Sequence, residues 1–174
     1  MSTRVHVSKK LNAIIPKELI NKKPEVSEFR TLNKWNATLF YISHKKCLLL
    51  VNSSTFFAVI LENIKKSDFN NITKLFIQKF YEQVMYEGIV TDRNTISKFI
   101  GEIDLYPTDN DRVTIGIQTS LITNIEYRKE PHIPFENWDI RYLNSLLNEL
   151  PYSQLGWTIP SDNMKVELNK IKAK

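Results

Sequence analysis

Trp35-Asn36-Ala37-Thr38-Leu39-Phe40-Tyr41-Ile42, then His44-Lys45-Lys46, then Cys47-Leu48-Leu49-Leu50-Val51 is the stretch on which the fold turns. Its first part alternates with period two, as a half-buried strand does, and the polar triplet behind it is a turn. An antiparallel hairpin follows. The second arm is apolar without interruption, which suits a central strand covered on both faces. Asn52-Ser53-Ser54 breaks the run, and Thr55 to Leu61 then supplies the third strand of a meander.

Working outward, Arg4-Val5-His6-Val7-Ser8 alternates in the same way and adds a strand at an edge of the sheet. Lys9 to Ile15 reads as one or two helical turns before Pro16, and Lys17 to Ile20 as a second short helical piece. Downstream the period changes. Ser67 with Asp68 can cap a helix in which Phe69, Ile72, Phe76, Phe80 and Val84 recur at helical spacing until Gly88. Thr91 caps a shorter helix whose stripe is Ile96, Phe99, Ile100 and Ile103, before Pro107 and the acidic Asp109-Asn110-Asp111 loop. Val113 to Tyr127 fits either period: Val113, Ile115 and Ile117 alternate, while Leu121, Ile122 and Ile125 are spaced as in a helix. Asn137 opens a helix carrying Ile140, Leu143, Leu146, Leu147 and Leu150 on one face, which Pro151 stops.

The expected fold is therefore α+β: a small, mainly antiparallel sheet made of the N-terminal strand and the three-stranded meander, packed by about four helices. Neither a repeat nor a low-complexity linker divides the chain, and 174 residues fit one domain spanning residues 1–174. In residues 162–174 Met164, Leu168 and Ile171 keep helical spacing among lysines, and a flexible basic tail is the alternative there.

With 42% hydrophobic and 25% charged residues the composition is that of a globular protein and excludes disorder as a description of the whole chain. The net charge of +5 is concentrated at the N-terminus, where Arg4, Lys9, Lys10, Lys17, Lys22 and Lys23 face the single acid Glu18. A lone cysteine, Cys47, cannot form an internal disulfide, no apolar run reaches the roughly 20 residues of a membrane span, and the start does not resemble a signal peptide. A cytoplasmic protein without a membrane segment is expected.

The chain offers little to known catalytic patterns. His6, His44 and His132 are scattered and have no metal-ligand spacing with each other or with Cys47, so no metal is expected. The four glycines form neither a phosphate loop nor a dinucleotide fingerprint, and no Gly-x-Ser-x-Gly elbow occurs. Cys47 enters the most apolar strand and reads as a small buried hydrophobe. Asp104, Asp109 and Asp111 resemble a loose cation loop, but the spacing of an EF-hand is missing and a solvated turn is the simpler reading.

The hairpin Trp35–Ile42 and Lys46-Cys47-Leu48-Leu49-Leu50-Val51-Asn52 resembles an uncharacterised bacterial family, a domain of unknown function whose members are often associated with phages or plasmids. That family carries a Trp-x-Ala-x-Leu strand, a basic turn and a Lys-Cys-Leu-Leu strand. Ser8-Lys9-Lys10-Leu11, Asn110-Asp111-Arg112 with Ile115-Gly116, and Asn148-Glu149-Leu150-Pro151 extend the similarity over most of the chain. The resemblance implies a helix beginning near Thr114, although Val113 and Ile117 stand where the family has serines. It brings no reaction, cofactor or catalytic residue.

The leading functional expectation is a non-enzymatic interaction protein with a protein partner, an accessory of a mobile genetic element, without catalytic residues or cofactor. The alternative is a nucleic-acid-binding module in which Arg4, Lys9, Lys10, Lys22, Lys23, Lys45 and Lys46 meet phosphates. A third reading is an enzyme with a site near Arg112, His132 and Asp139.

Overall fold

In the computed structural model, which describes residues 2–22, 31–89, 91–130 and 132–173, the decisive stretch forms the expected hairpin. Strand β1 spans Ser2–Val7, β2 Lys34–Ile42, β3 Lys45–Asn52, β4 Ala58–Leu61 and β5 Glu102–Pro107. The helices are α1 Lys9–Asn12, α2 Ile72–Tyr86, α3 Arg93–Ile100, α4 Arg112–Arg128, α5 Ile140–Asn148 and α6 Pro160–Lys172. One sheet of order β4-β3-β2-β1-β5 runs through the molecule. Strands β2, β3 and β4 are the antiparallel meander; β1 joins β2 in parallel but is not the edge strand the sequence suggests, because β5 lies parallel to it on its other side. The α+β class is what the sequence predicts.

The period-two pattern divides the sheet into two cores. Leu48 and Leu50 of β3 join Trp35, Ala37, Val5 and Val7 beneath α2, α3 and α6, whereas Cys47, Leu49 and Val51 point to the other face, under α4 and α5. The uninterrupted apolar run is thereby explained, because both faces of β3 are covered. Trp35 anchors the first core with Phe76 and Phe80 packed edge-on at 5.0 and 5.5 Å between ring centroids. Residues 160–172, where the sequence leaves a tail open, are α6, and its Met164 and Leu168 are buried in the same core.

Two local differences from the sequence expectation have clear causes. The helix after Thr91 is capped by Asp92, whose carboxylate accepts from Thr95 N, and it stops at Ile100 because Gly101 takes φ 62°, a backbone state open to glycine. Residues 102–107 are then strand β5, and Ile103 belongs to the sheet and not to the helical stripe. The ambiguous stretch is helical, as the family resemblance implies: Asp111 accepts from Val113 N and Thr114 N and starts α4 at Arg112.

Candidate functional site: a polar crevice at the strand ends

The connections leaving β1 and β5 decide where a site can form. After Val7 the chain turns to α1 on one face of the sheet, and after Pro107 the neighbouring strand turns to α4 on the opposite face. Parallel neighbours whose connections leave to opposite sides open a gap beyond their C-terminal ends, the usual place for a ligand in such sheets. A crevice of about 250 Å³ lies here, lined among others by His6, Ser8, Asn36, Thr38, Thr108, Asn110 and Gln118, with Lys9 at its border.

Each lining group is placed by the sheet. His6 and Asn36 are register partners on β1 and β2, and both alternate with residues of the first core, so they share the face turned toward α4. One step further along, Ser8 caps α1 by accepting from Leu11 N and also accepts from the Thr38 hydroxyl at 3.0 Å. On the crevice side of α4, Ile115, Gln118, Thr119 and Ile122 follow each other at helical spacing. Gln118 is buried and donates inward to the backbone oxygens of Asn36 at 2.8 Å and Leu49 at 3.4 Å, riveting α4 to the sheet.

Asn36 in turn is held by a largely buried ion cluster. Lys34 Nζ lies 2.5 Å from Asp109 Oδ2 and 3.3 Å from Asp111 Oδ2, and Asn36 Nδ2 donates to Asp109 Oδ1 at 3.1 Å. The loop expected to be a solvated turn is thus half-buried, with a lysine ammonium between its carboxylates where the cation-loop reading would place a metal. Burial works against both charges. It is outweighed at Asp109 by Lys34, the Asp111 N–H and nearby His6, and at Asp111 by Thr114 and Lys34, so both carboxyls sit below the ordinary aspartate value. Among the described residues no cluster of His, Cys, Asp and Glu is arranged to hold a metal ion.

Two residues that line the crevice have hydrogen-bonding valence to spare. Asn36 is 3% exposed, and its Oδ1 is buried without a hydrogen-bond partner among the described residues. His6 Nδ1 lies 3.0 Å from the carbonyl oxygen of Pro107. A carbonyl can only accept, so Nδ1 carries a proton, and in the neutral ring Nε2 is then the acceptor.

The sequence-predicted basic residues are spread more widely. Lys9 and Lys10 are exposed on α1, Lys45 and Lys46 are exposed at the start of β3, and Lys22 is exposed beyond the bridge that ties Ile20 to Leu105 of β5. Arg4 is partly buried within β1, in register with Lys34 and Asp104. Lys23 lies outside the described residues. The third expected group is not assembled: Arg112 begins α4 and His132 follows its far end, and 17 helical residues separate them by about 25 Å. Sequence reasoning did not single out Lys34, Asn36 or Gln118. Their signal is polarity on an otherwise apolar face, since Lys34, Asn36 and Thr38 are in phase with Phe40 and Ile42 of the second core, and Gln118 is in phase with Leu121 and Ile125 on α4.

Fold and crevice together define a class: an α/β/α-layered α+β protein with a ligand-sized polar gap at the ends of parallel strands. The chain belongs to the family described as a domain of unknown function, DUF6933, whose model matches residues 4–163. No curated protein and no solved structure matches the chain. No helix among the described residues is long and apolar enough to cross a membrane.

Proposed function

We propose that this chain is a non-enzymatic binding protein for a small polar molecule held in the strand-end crevice. The observation that carries the reading is the orphaned Asn36 carbonyl. A buried acceptor without a partner costs about 1–3 kcal/mol, and a ligand that donates to it recovers that energy. The surrounding groups are amides and hydroxyls, which hold a molecule by hydrogen bonds. At about 250 Å³ the crevice falls just below the usual range of drug-sized sites, so its occupant is small.

The test is an amide-resolved NMR titration of the ¹⁵N-labelled protein with pooled nucleosides, sugars, amino acids and small organic acids. Perturbations grouped at His6, Ser8, Asn36 and Gln118 are expected. A full panel that leaves these amides unmoved rejects the reading.

A second reading is supported by the shared position of four lysines. Because β1 and β2 run parallel, α1 and the β2–β3 turn lie toward the same end of the sheet, and Lys9, Lys10, Lys45 and Lys46 border that end. This arrangement favours an acidic partner, nucleic acid included, docking over the crevice mouth, and an accessory role in a mobile element is a setting in which it would operate. Binding to single-stranded DNA or RNA that weakens steeply with salt, and weakens again in the Lys9→Glu, Lys10→Glu double variant, is the expected result. Absence of binding at 50 mM salt, on the order used for such comparisons, rejects it.

A further inference from the structure

We propose, resting on the crevice as a binding site, that its ligand is a vicinal diol: a sugar ring, or the ribose of a nucleoside, presenting two adjacent hydroxyl groups. The inference comes from counting which hydrogen-bonding valences the protein has already used. Gln118 spends its amide nitrogen on two backbone carbonyls, which leaves Oε1. Asn36 donates Nδ2 to Asp109, which leaves the orphaned Oδ1. His6 donates Nδ1–H to Pro107, which leaves Nε2. All three remaining atoms are acceptors, so the ligand must bring donors.

The donors are better supplied by hydroxyls than by a cation. Asp109 and Asp111 do not line the crevice and are both engaged by Lys34, while the cationic group that does line it, Lys9, would repel an ammonium. Spacing adds to this. His6 and Asn36 face each other across adjacent parallel strands, which stand about 4.8 Å apart, so two acceptors side by side meet two donors side by side. The Ser8 oxygen accepts from both Leu11 N and Thr38, so its own proton is free to donate, and a diol oxygen accepts as well as donates. Ile115 and Ile122 of α4 supply an apolar wall against which the C–H face of a sugar ring packs.

The experiment compares matched ligands on the wild-type protein by NMR titration: adenosine against 2′-deoxyadenosine, ribose and glucose as free sugars, and acetate, inorganic phosphate and ethylamine as controls without a diol. Diol-bearing ligands are expected to perturb His6, Asn36 and Gln118, with 2′-deoxyadenosine binding about tenfold more weakly than adenosine because one donor is gone. Nucleosides binding while free sugars do not would assign the diol to a ribose; free sugars binding alone would assign it to a saccharide. Equal binding of adenosine and its deoxy analogue, or perturbation of the crevice by a control without any diol ligand binding, overturns the diol inference and leaves crevice binding standing. If no ligand moves these amides, both readings fall. In the His6→Ala variant, with the remaining spectrum preserved, diol affinity is expected to drop about tenfold, and unchanged affinity counts against the inference.

Discussion

Lys34 shows how one residue can organise a site it does not enter. Its ammonium joins two carboxylates of the loop that crosses toward α4, and one of them, Asp109, accepts from the amide of crevice-lining Asn36. Removing one member of a buried ionic group leaves the others uncompensated, which costs about 3–5 kcal/mol, and these side chains are largely though not wholly buried. Lys34→Met is therefore expected to destabilise the protein by about 3 kcal/mol in urea unfolding at pH 7. The sign of the pH effect follows from the lowered carboxyl values of Asp109 and Asp111. Their contribution is present above the ordinary aspartate value of 3.8 and is lost as pH falls through the lower values they have when folded. Wild type should lose this stability in acid while Lys34→Met, which lacks the lysine's share of it and keeps only that of Thr114 and the other partners, shows a flatter profile; superimposable acid profiles would sink the account. Nothing local in the sequence announces the cluster, because Lys34 and Asp111 stand 77 positions apart. Only β1, pairing with both β2 and β5, brings them together.

Helix α5 does for the β4 edge what a further strand would otherwise do. Asn148 Oδ1 accepts from Ala58 N and Asn144 Oδ1 from Ile60 N, both at 2.7 Å, while both amides donate to the Ala58 oxygen. The fit is geometric: four helical residues rise about 6.0 Å and two strand residues about 6.7 Å, so side chains four apart reach alternate outward N–H groups. Asn148→Ala is expected to cost about 1–3 kcal/mol by stranding Ala58 N, read as a shift in urea midpoint without change of slope. The same network holds Glu87, at the end of α2, whose Oε1 accepts from Gln83 and Asn148. Burial pushes its carboxyl up to about 7, against the two hydrogen bonds and with help from Glu149. Because the folded value is raised, the stability Glu87 allows is complete below 4.5 and is lost as pH rises through about 7. Glu87→Gln keeps the acceptor and removes the charge, so it should gain about 1–3 kcal/mol at pH 8 and almost nothing at pH 4. An equal effect at both pH values would contradict this assignment. At this scale the sequence was legible where pattern is local, as in the β2–β3 hairpin and the Phe76–Phe80 face of α2. It failed at β5, where Ile103 continued a helical stripe by spacing alone and only the backbone state of Gly101 marks the break. Parallel pairing adds no local turn signal that could have corrected it.

Across the whole molecule, one sheet serves two cores, and its edges are both occupied. Beside the β4 edge held by α5, the β5 edge gives Ile103 N to Thr73 and takes Asn21 N on the Leu105 carbonyl. Pairing with a foreign strand is blocked on these groups, whereas the strand ends, where the crevice and four of the lysines lie, are left open. The apolar run at Leu48–Val51 made double coverage of the sheet readable from sequence. What covers each face was not readable, because it depends on which side each crossover leaves. Sharing β3 between the cores has a mechanical consequence: Leu48 and Leu50 cannot stay packed once Leu49 and Val51 are released, so both faces should unfold as one unit. The reporter is Trp35, fully buried in the first core, left as the sole tryptophan by Trp138→Phe and Trp157→Phe. Into that background goes Leu121→Ala, which opens a cavity in the opposite core and should cost about 2–5 kcal/mol. Trp35 fluorescence is expected to register the whole of that loss as an earlier urea midpoint, matching circular dichroism. If Trp35 unfolds at its original midpoint while circular dichroism shows a separate early transition, the two faces are independent units and the single-domain description fails.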